Sequence, residues 1–111
     1  MSLIYQDPTM THDRALRLLA SGADAETAAA LISIGLNESD RIWAQNTCLK
    51  HLEAESELVV AAAVTALGHI ARRHGEVDKE SVIPALETVK TTFSALEGVV
   101  EDTLDDIHAF T

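Results

Sequence analysis

The chain has 111 residues, 47% of them apolar, 23% charged and 4% aromatic, enough for one domain that buries a core unaided and richer in alanine than a β-sandwich would need. Its formal charge of −10 argues against non-specific binding to nucleic acid and against anionic membrane surfaces, both of which run on Lys and Arg, and leaves a basic protein as the partner that the acidity admits. A single cysteine, Cys48, excludes an internal disulfide and fits a reducing cytosol, so a cytoplasmic location is expected.

Residues 1–10 read as an N-terminal extension. MSLIYQDPT has neither a basic n-region nor an apolar run, so no signal peptide is expected, and no apolar stretch approaches the roughly 20 residues that span a bilayer. Six helices are predicted in turn. Residues 11–21 carry Leu16, Leu19 and Ala20 on one side and end at Gly22; residues 24–36 follow, with Asp24 as N-cap. Ser39 caps the third helix, on which Ile42, Gln45, Leu49 and Leu52 form a stripe. Ser56 opens a fourth that runs to about His74 and stops at Gly75. Asp78 and Ser81 open the fifth, whose Val82, Ile83, Leu86 and Val89 should point inward, and where Pro84 should remove a hydrogen bond or tilt the first turn. The sixth is EGVVEDTLDDIHAF, residues 97–110. Connections of two to four residues imply antiparallel hairpins. No segment shows sustained period-two alternation, so the expected class is all-α.

The second and fourth helices resemble one another. DAETAAALISIGL and ELVVAAAVTALGH superpose with an offset of 33, which matches Gly35 to Gly68 and Ala28-Ala29-Ala30 to Ala61-Ala62-Ala63. An offset of 37 places the sixth helix on the fourth, with Leu104 on Leu67 and Ile107 on Ile70. A period in the thirties with two helices per unit is the mark of an α-solenoid. The units are about 11–37, 38–75 and 78–110, within a single domain over 11–111. Small residues let neighbouring helices approach, and Gly35 and Gly68 are expected at the tightest crossings, since a helical glycine costs about 1 kcal/mol against alanine and needs such a reason.

LVVAAAVTALGHIA resembles the second helix of a HEAT-type repeat, whose usual pattern is an acidic start, Val-Arg, an alanine run, Ala-Leu-Gly and Leu-Ala; VIPALE at 82–87 is similar to the first helix, proline included. The resemblance covers three helix pairs, about residues 11–110, and is fullest in the second unit. It implies a short right-handed solenoid that binds protein and by itself no chemistry. Val60 departs from the pattern: the family commonly has an arginine there, and the contact that arginine makes between repeats is not implied here.

Motifs that carry chemistry are few. The sequence shows no glycine-rich phosphate loop, nucleophile elbow, Cys-x-x-Cys or His-Glu-x-x-His, so neither enzyme, cofactor nor resident metal is expected. Cys48 and His51 stand close enough on one helix to touch, without a third group to orient them, and burial of the thiol is the plainer expectation. The five histidines are scattered and read as surface or boundary residues.

The last helix is the exception. If Leu96, Val99, Val100, Leu104 and Ile107 face the core, the other side presents Glu97, Glu101 and Asp105 in one row of four-residue spacing and Asp102 and Asp106 in another. Like charges at that spacing destabilise a helix by roughly 0.2–0.5 kcal/mol per pair, and acid near the carboxyl end opposes the helix dipole. The chain has no Lys or Arg after Lys90. Either this is a solvated face that confers solubility, or it is a site for a basic partner; a metal site on Glu101, Asp105 and His108 is the remote third reading. If the second helix of each HEAT-type pair lines the concave surface, the acids stand beside Val60, Val64, Thr65 and His69, next to Thr27, Leu31 and Ile32: an apolar groove with an acidic wall, as interfaces are commonly built. Arg72 and Arg73 are accounted for by their place in the last turn of the fourth helix. Trp43 is expected to pack on the first helix pair or on the LIY of the N-terminus, with a binding anchor as the alternative.

Small size, acidity and absence of chemistry together resemble a bacterial immunity or antitoxin-like protein that covers a cognate toxin. Two other readings stay open: a regulatory or assembly module for a larger enzyme, such as the HEAT-type partners of bilin lyases, and a nucleic-acid enzyme like the HEAT-like DNA glycosylases, which would need a basic concave face.

Overall fold

The computed structural model describes residues 10–111; the LIY segment and the rest of residues 1–9 lie outside them. Within the described residues the fold is helical, with six α-helices and no strand. They are α1 (His12–Leu19), α2 (Asp24–Asn37), α3 (Arg41–His51), α4 (Glu57–His74), α5 (Lys79–Thr92) and α6 (Glu97–Phe110), with a single 3-10 turn (Ser94–Leu96) between the last two. The Cα radius of gyration is 13.0 Å, the value of about 13 Å expected of a compact chain near 100 residues.

The helix ends follow from local chemistry, with some shifts against expectation. Ser56 Oγ accepts from the Val59 amide at 3.3 Å, and Gly75, at φ 67°, closes α4 in the left-handed conformation that favours glycine. The N-cap of α3 is Asp40 rather than Ser39: its carboxylate accepts from the Trp43 amide at 3.0 Å. For α2 the cap position falls on Ala23, so Asp24 does not cap but stands in the first turn, where its charge complements the dipole. Ser81 lies within α5, its hydroxyl donating to Asp78 Oδ2 at 3.0 Å, and Pro84 is carried inside a helix that remains continuous.

The helices pack in adjoining pairs, α1 on α2, α3 on α4 and α5 on α6, while α4 also lies between α2 and α6. Two glycines set those inner crossings. A Cβ on Gly35 would stand 2.8 Å from both Cα and O of Ala66, so α2 and α4 touch backbone to backbone. One on Gly68 would meet Thr103 Oγ1 at 3.5 Å and Asp106 Oδ2 at 3.3 Å. Thr103 is the residue that the 37-residue offset places on Ala66, so the two crossings are built from matching positions. The Thr103 hydroxyl, 3% exposed as a residue, is satisfied by the Val64 carbonyl at 3.2 Å.

With neighbours on three sides, α4 supplies ten of the buried residues, from Val59 to Ala71. Val82, Leu86 and Val89 of α5 and Val100, Leu104 and Ile107 of α6 are buried as expected, with Ile83 and Val99 half-buried. Three residues of the expected stripes lie outside it, among them Ala20, which is exposed at the C-cap of α1. Leu16 is 41% and Ile42 57% exposed; the inward positions are Ala15 on α1 and Ala44, Gln45, Cys48 and Leu52 on the α3 side. Alanine and cysteine let these short helices sit closer than leucine or isoleucine would. Trp43 is half-buried against the core, its ring 4.8 Å from that of His12 on α1.

Candidate partner-binding site

The face in question is the outer side of α6. Consecutive residues turn by about 100° on a helix, so the buried Val100, Thr103, Leu104 and Ile107 fix one side and Gly98, Asp102, Asp105 and Ala109 the opposite one. Glu101 and Asp106 then fall at the two edges of the exposed face. Each edge meets a neighbouring helix that brings a cation. Lys90 Nζ of α5 lies 2.9 Å from Glu101 Oε2 and 3.3 Å from Glu87 Oε1, and these contacts, the Glu101 hydrogen bond first, hold its pKa above the ordinary lysine value. On the other edge Arg72 of α4 pairs with Asp106, which reaches it across the open position at Gly68. The guanidinium also donates to His69 Nδ1. Partial burial and then the Arg72 charge lower the His69 pKa below its usual value.

The predicted residues therefore separate into three groups. Glu97, Asp102 and Asp105 are exposed and, among the described residues, form no ion pair. Glu101 and Asp106 keep their expected place but are neutralised from within the chain. Of the α4 residues, Thr65 and His69 are half-buried beside this face, whereas Val60 and Val64 are 0% exposed and cannot meet a partner. Leu31 and Thr27 of α2 are likewise buried, and only Ile32 of that trio reaches the surface. The reason is the position of α4 between α2 and α6: both valines are spent on those contacts, and Leu58, Ala61, Thr65, His69 and Arg72 form the stripe that is left.

Sequence reasoning missed both ion pairs and gave Arg72 and Arg73 a purely local role. Arg73 Nη1 in fact donates to the carbonyls of Gly35 at 3.1 Å and Glu38 at 3.0 Å, satisfying the end of α2. The contact of Gly68 with Thr103 sets that pair one turn further along, Arg72 beside Asp106, and the 37-residue offset of the sequence, which sets Asp105 on Gly68, does not reveal it.

The candidates for chemistry are engaged elsewhere. Cys48 is fully buried, and burial pushes its thiol up to about 12, so no thiolate is available at neutral pH. His51 Nδ1 donates to the Thr47 carbonyl at 2.8 Å, and His108 Nδ1 to that of Leu104 at 2.7 Å. Among the described residues no group of three or more His, Cys, Asp and Glu is placed to hold a metal ion, and no helix is long and apolar enough to cross a membrane. No family model, curated protein or solved structure matches the chain.

Proposed function

We propose that the chain is a non-catalytic protein-binding module, a short right-handed solenoid of three HEAT-like helix pairs that receives a basic partner protein on the outer face of α6. The matching crossings at Gly35–Ala66 and Gly68–Thr103 support the repeat reading, because corresponding positions of successive pairs face one another. One observation carries the binding reading. The cations that reach α6 pair with its edge acids, Glu101 and Asp106, and leave Asp102 and Asp105 on the outer side and Glu97 in the first turn as exposed acids without an ion pair among the described residues. Solubility is served by interspersed charges of both signs, whereas unpaired charges of a single sign steer an oppositely charged partner. Half-buried Val99, Thr65 and His69 beside it supply the less polar part of the surface. An immunity-type inhibitor that covers a basic toxin in the cytoplasm is the form of this function that best suits so small and acidic a chain.

The test is capture of the partner from the native source, with Glu97→Lys, Asp102→Lys and Asp105→Lys combined as the control. These three leave the Lys90 and Arg72 contacts in place. Loss of the partner from the reversed protein, and inhibition by the wild type of a toxic activity in the captured protein, are expected. Retention by the reversed protein at unchanged affinity would refute the site, and a captured enzyme that is activated rather than inhibited would favour an assembly role.

A further inference from the structure

A second surface lies away from α6. Helices α3 and α5 each rest on the helix that follows them and hardly touch one another, and the space between their carboxyl-terminal halves is a half-open groove of about 600 Å³, within the range of about 300–1,000 Å³ typical of binding clefts. Its walls are apolar: Leu49, Leu52, Ala85, Val89 and Phe93, with Leu52 and Val89 almost fully buried as the floor. The charge around it has one sign. Leu52 and Phe93 are the C-cap residues of α3 and α5, so the partly negative ends of both helices open into the same end of the groove. Glu53 and Glu55 stand exposed on its rim and, among the described residues, form no ion pair. The nearest cation of α5, Lys90, is held by Glu87 and Glu101, and Lys50 of α3 is exposed but does not line the groove.

We propose that this groove is a docking site for a basic amphipathic helix of a partner protein, independent of the α6 face. The occupant needs an apolar stripe for the walls and Lys or Arg at the end that meets Glu53, Glu55 and the two helix ends. A helix suits the site better than an extended strand, because the walls are helices whose backbone groups are already paired, and a helical occupant satisfies its own. From Ala85 to Phe93 the groove runs for about two helical turns. A second copy of the chain brings a charge of −10 to the same negative rim, and residues 1–9 contain Asp7 and no Lys or Arg, so neither matches it.

The probe is a synthetic helical peptide of about 16 residues with Leu at spacings of three and four and Lys on the flanks, labelled with fluorescein and titrated with the full chain. Binding is expected, with amide shifts in NMR spectra confined to residues 49–55 and 85–93. Peptides with Glu in place of Lys, or Ser in place of Leu, should bind far more weakly. Glu53→Gln with Glu55→Gln should weaken the Lys peptide about fivefold at low salt, and Ala85→Trp should abolish its binding; Thr88→Arg, on the exposed rim, makes the same test if the tryptophan disturbs the fold. The lysine-reversed α6 variant should bind as the wild type does. The proposal is overturned by no binding, by equal binding of the Glu or Ser peptide, or by shifts that fall on α6. It is equally overturned if the chain dimerises through this groove in a manner that Ala85→Trp abolishes.

Discussion

Gly35 shows how much one missing methyl group decides. Its backbone lies so close to Ala66 that a Cβ would stand 2.8–2.9 Å from backbone and side-chain atoms of that residue, and backbone cannot swing away. Gly35→Ala gains about 1 kcal/mol of helix propensity but forces α2 and α4 apart, at the larger cost usual for overpacking. A net loss of about 1–2 kcal/mol is expected in urea denaturation; a stabilised variant would show that the crossing is looser than described. At His69 the sign is set by the lowered pKa. The unfolded chain takes up the proton near pH 6.5 and the folded chain only below that. Stability attributable to His69 is thus complete above pH 6.5 and falls as the pH drops through the window beneath it. His69→Gln should flatten that part of the stability profile, measured by denaturation from pH 7 to 5. His12, whose pKa the Glu38 hydrogen bond raises, acts in the opposite sense, contributing below pH 6.5 and losing its contribution as the pH rises through its elevated pKa. The comparison with wild type therefore isolates His69.

Between elements, the informative side chain is Gln45. It sits in a stripe expected to be apolar and is 3% exposed, yet its Oε1 accepts from the Asp78 amide at 2.7 Å and from Arg41 Nη1 at 3.2 Å. The start of α5 is thereby tied to the middle of α3. Gln45→Leu keeps the bulk and strands the Asp78 amide, so a loss of about 1–3 kcal/mol and faster hydrogen exchange at the first turn of α5 are expected; unchanged exchange there would deny the link. Lys90→Met tests the other junction. It frees Glu87 of α5 and Glu101, which becomes a fourth unpaired carboxylate on α6. The exposed pair contributes only about 0.2–1 kcal/mol to stability, but affinity for a basic partner should rise, with a steeper dependence on salt.

Element existence was legible because it rests on periodicity and caps. Residues 97–110 were read from the sequence alone and form α6 with the same bounds, and Ser56 and Gly75 delimit α4 as their chemistry dictates. Which side of a short helix turns inward was less legible. Leu16 and Ile42 are the greasier residues, but Ala15 and Ala44 allow the closer approach, and that choice depends on the neighbouring helix. The acidic face was visible as a row of spacings. Its division into paired and unpaired acids was not, since Arg72 and Asp106 are 34 positions apart and meet only once α4 and α6 are in register.

For the whole molecule, the consequence is a charge distribution in which one end helix keeps three unpaired acids while the acids at its edges, Glu101 and Asp106, are ion-paired with Lys90 and Arg72. Charge arranged this way contributes to association rate and partner choice more than to the stability of the fold. Reversing Glu97, Asp102 and Asp105 should therefore leave the midpoint of urea unfolding nearly unchanged while removing the partner. The most direct measurement is the affinity of the captured partner for the wild type and for the lysine-reversed variant, at about 50 and 500 mM salt, where the screening length shrinks severalfold. The account predicts tight binding at low salt that weakens steeply at high salt, and a variant whose affinity at low salt is lower by about a hundredfold or more. Equal affinities with equal salt dependence would contradict it.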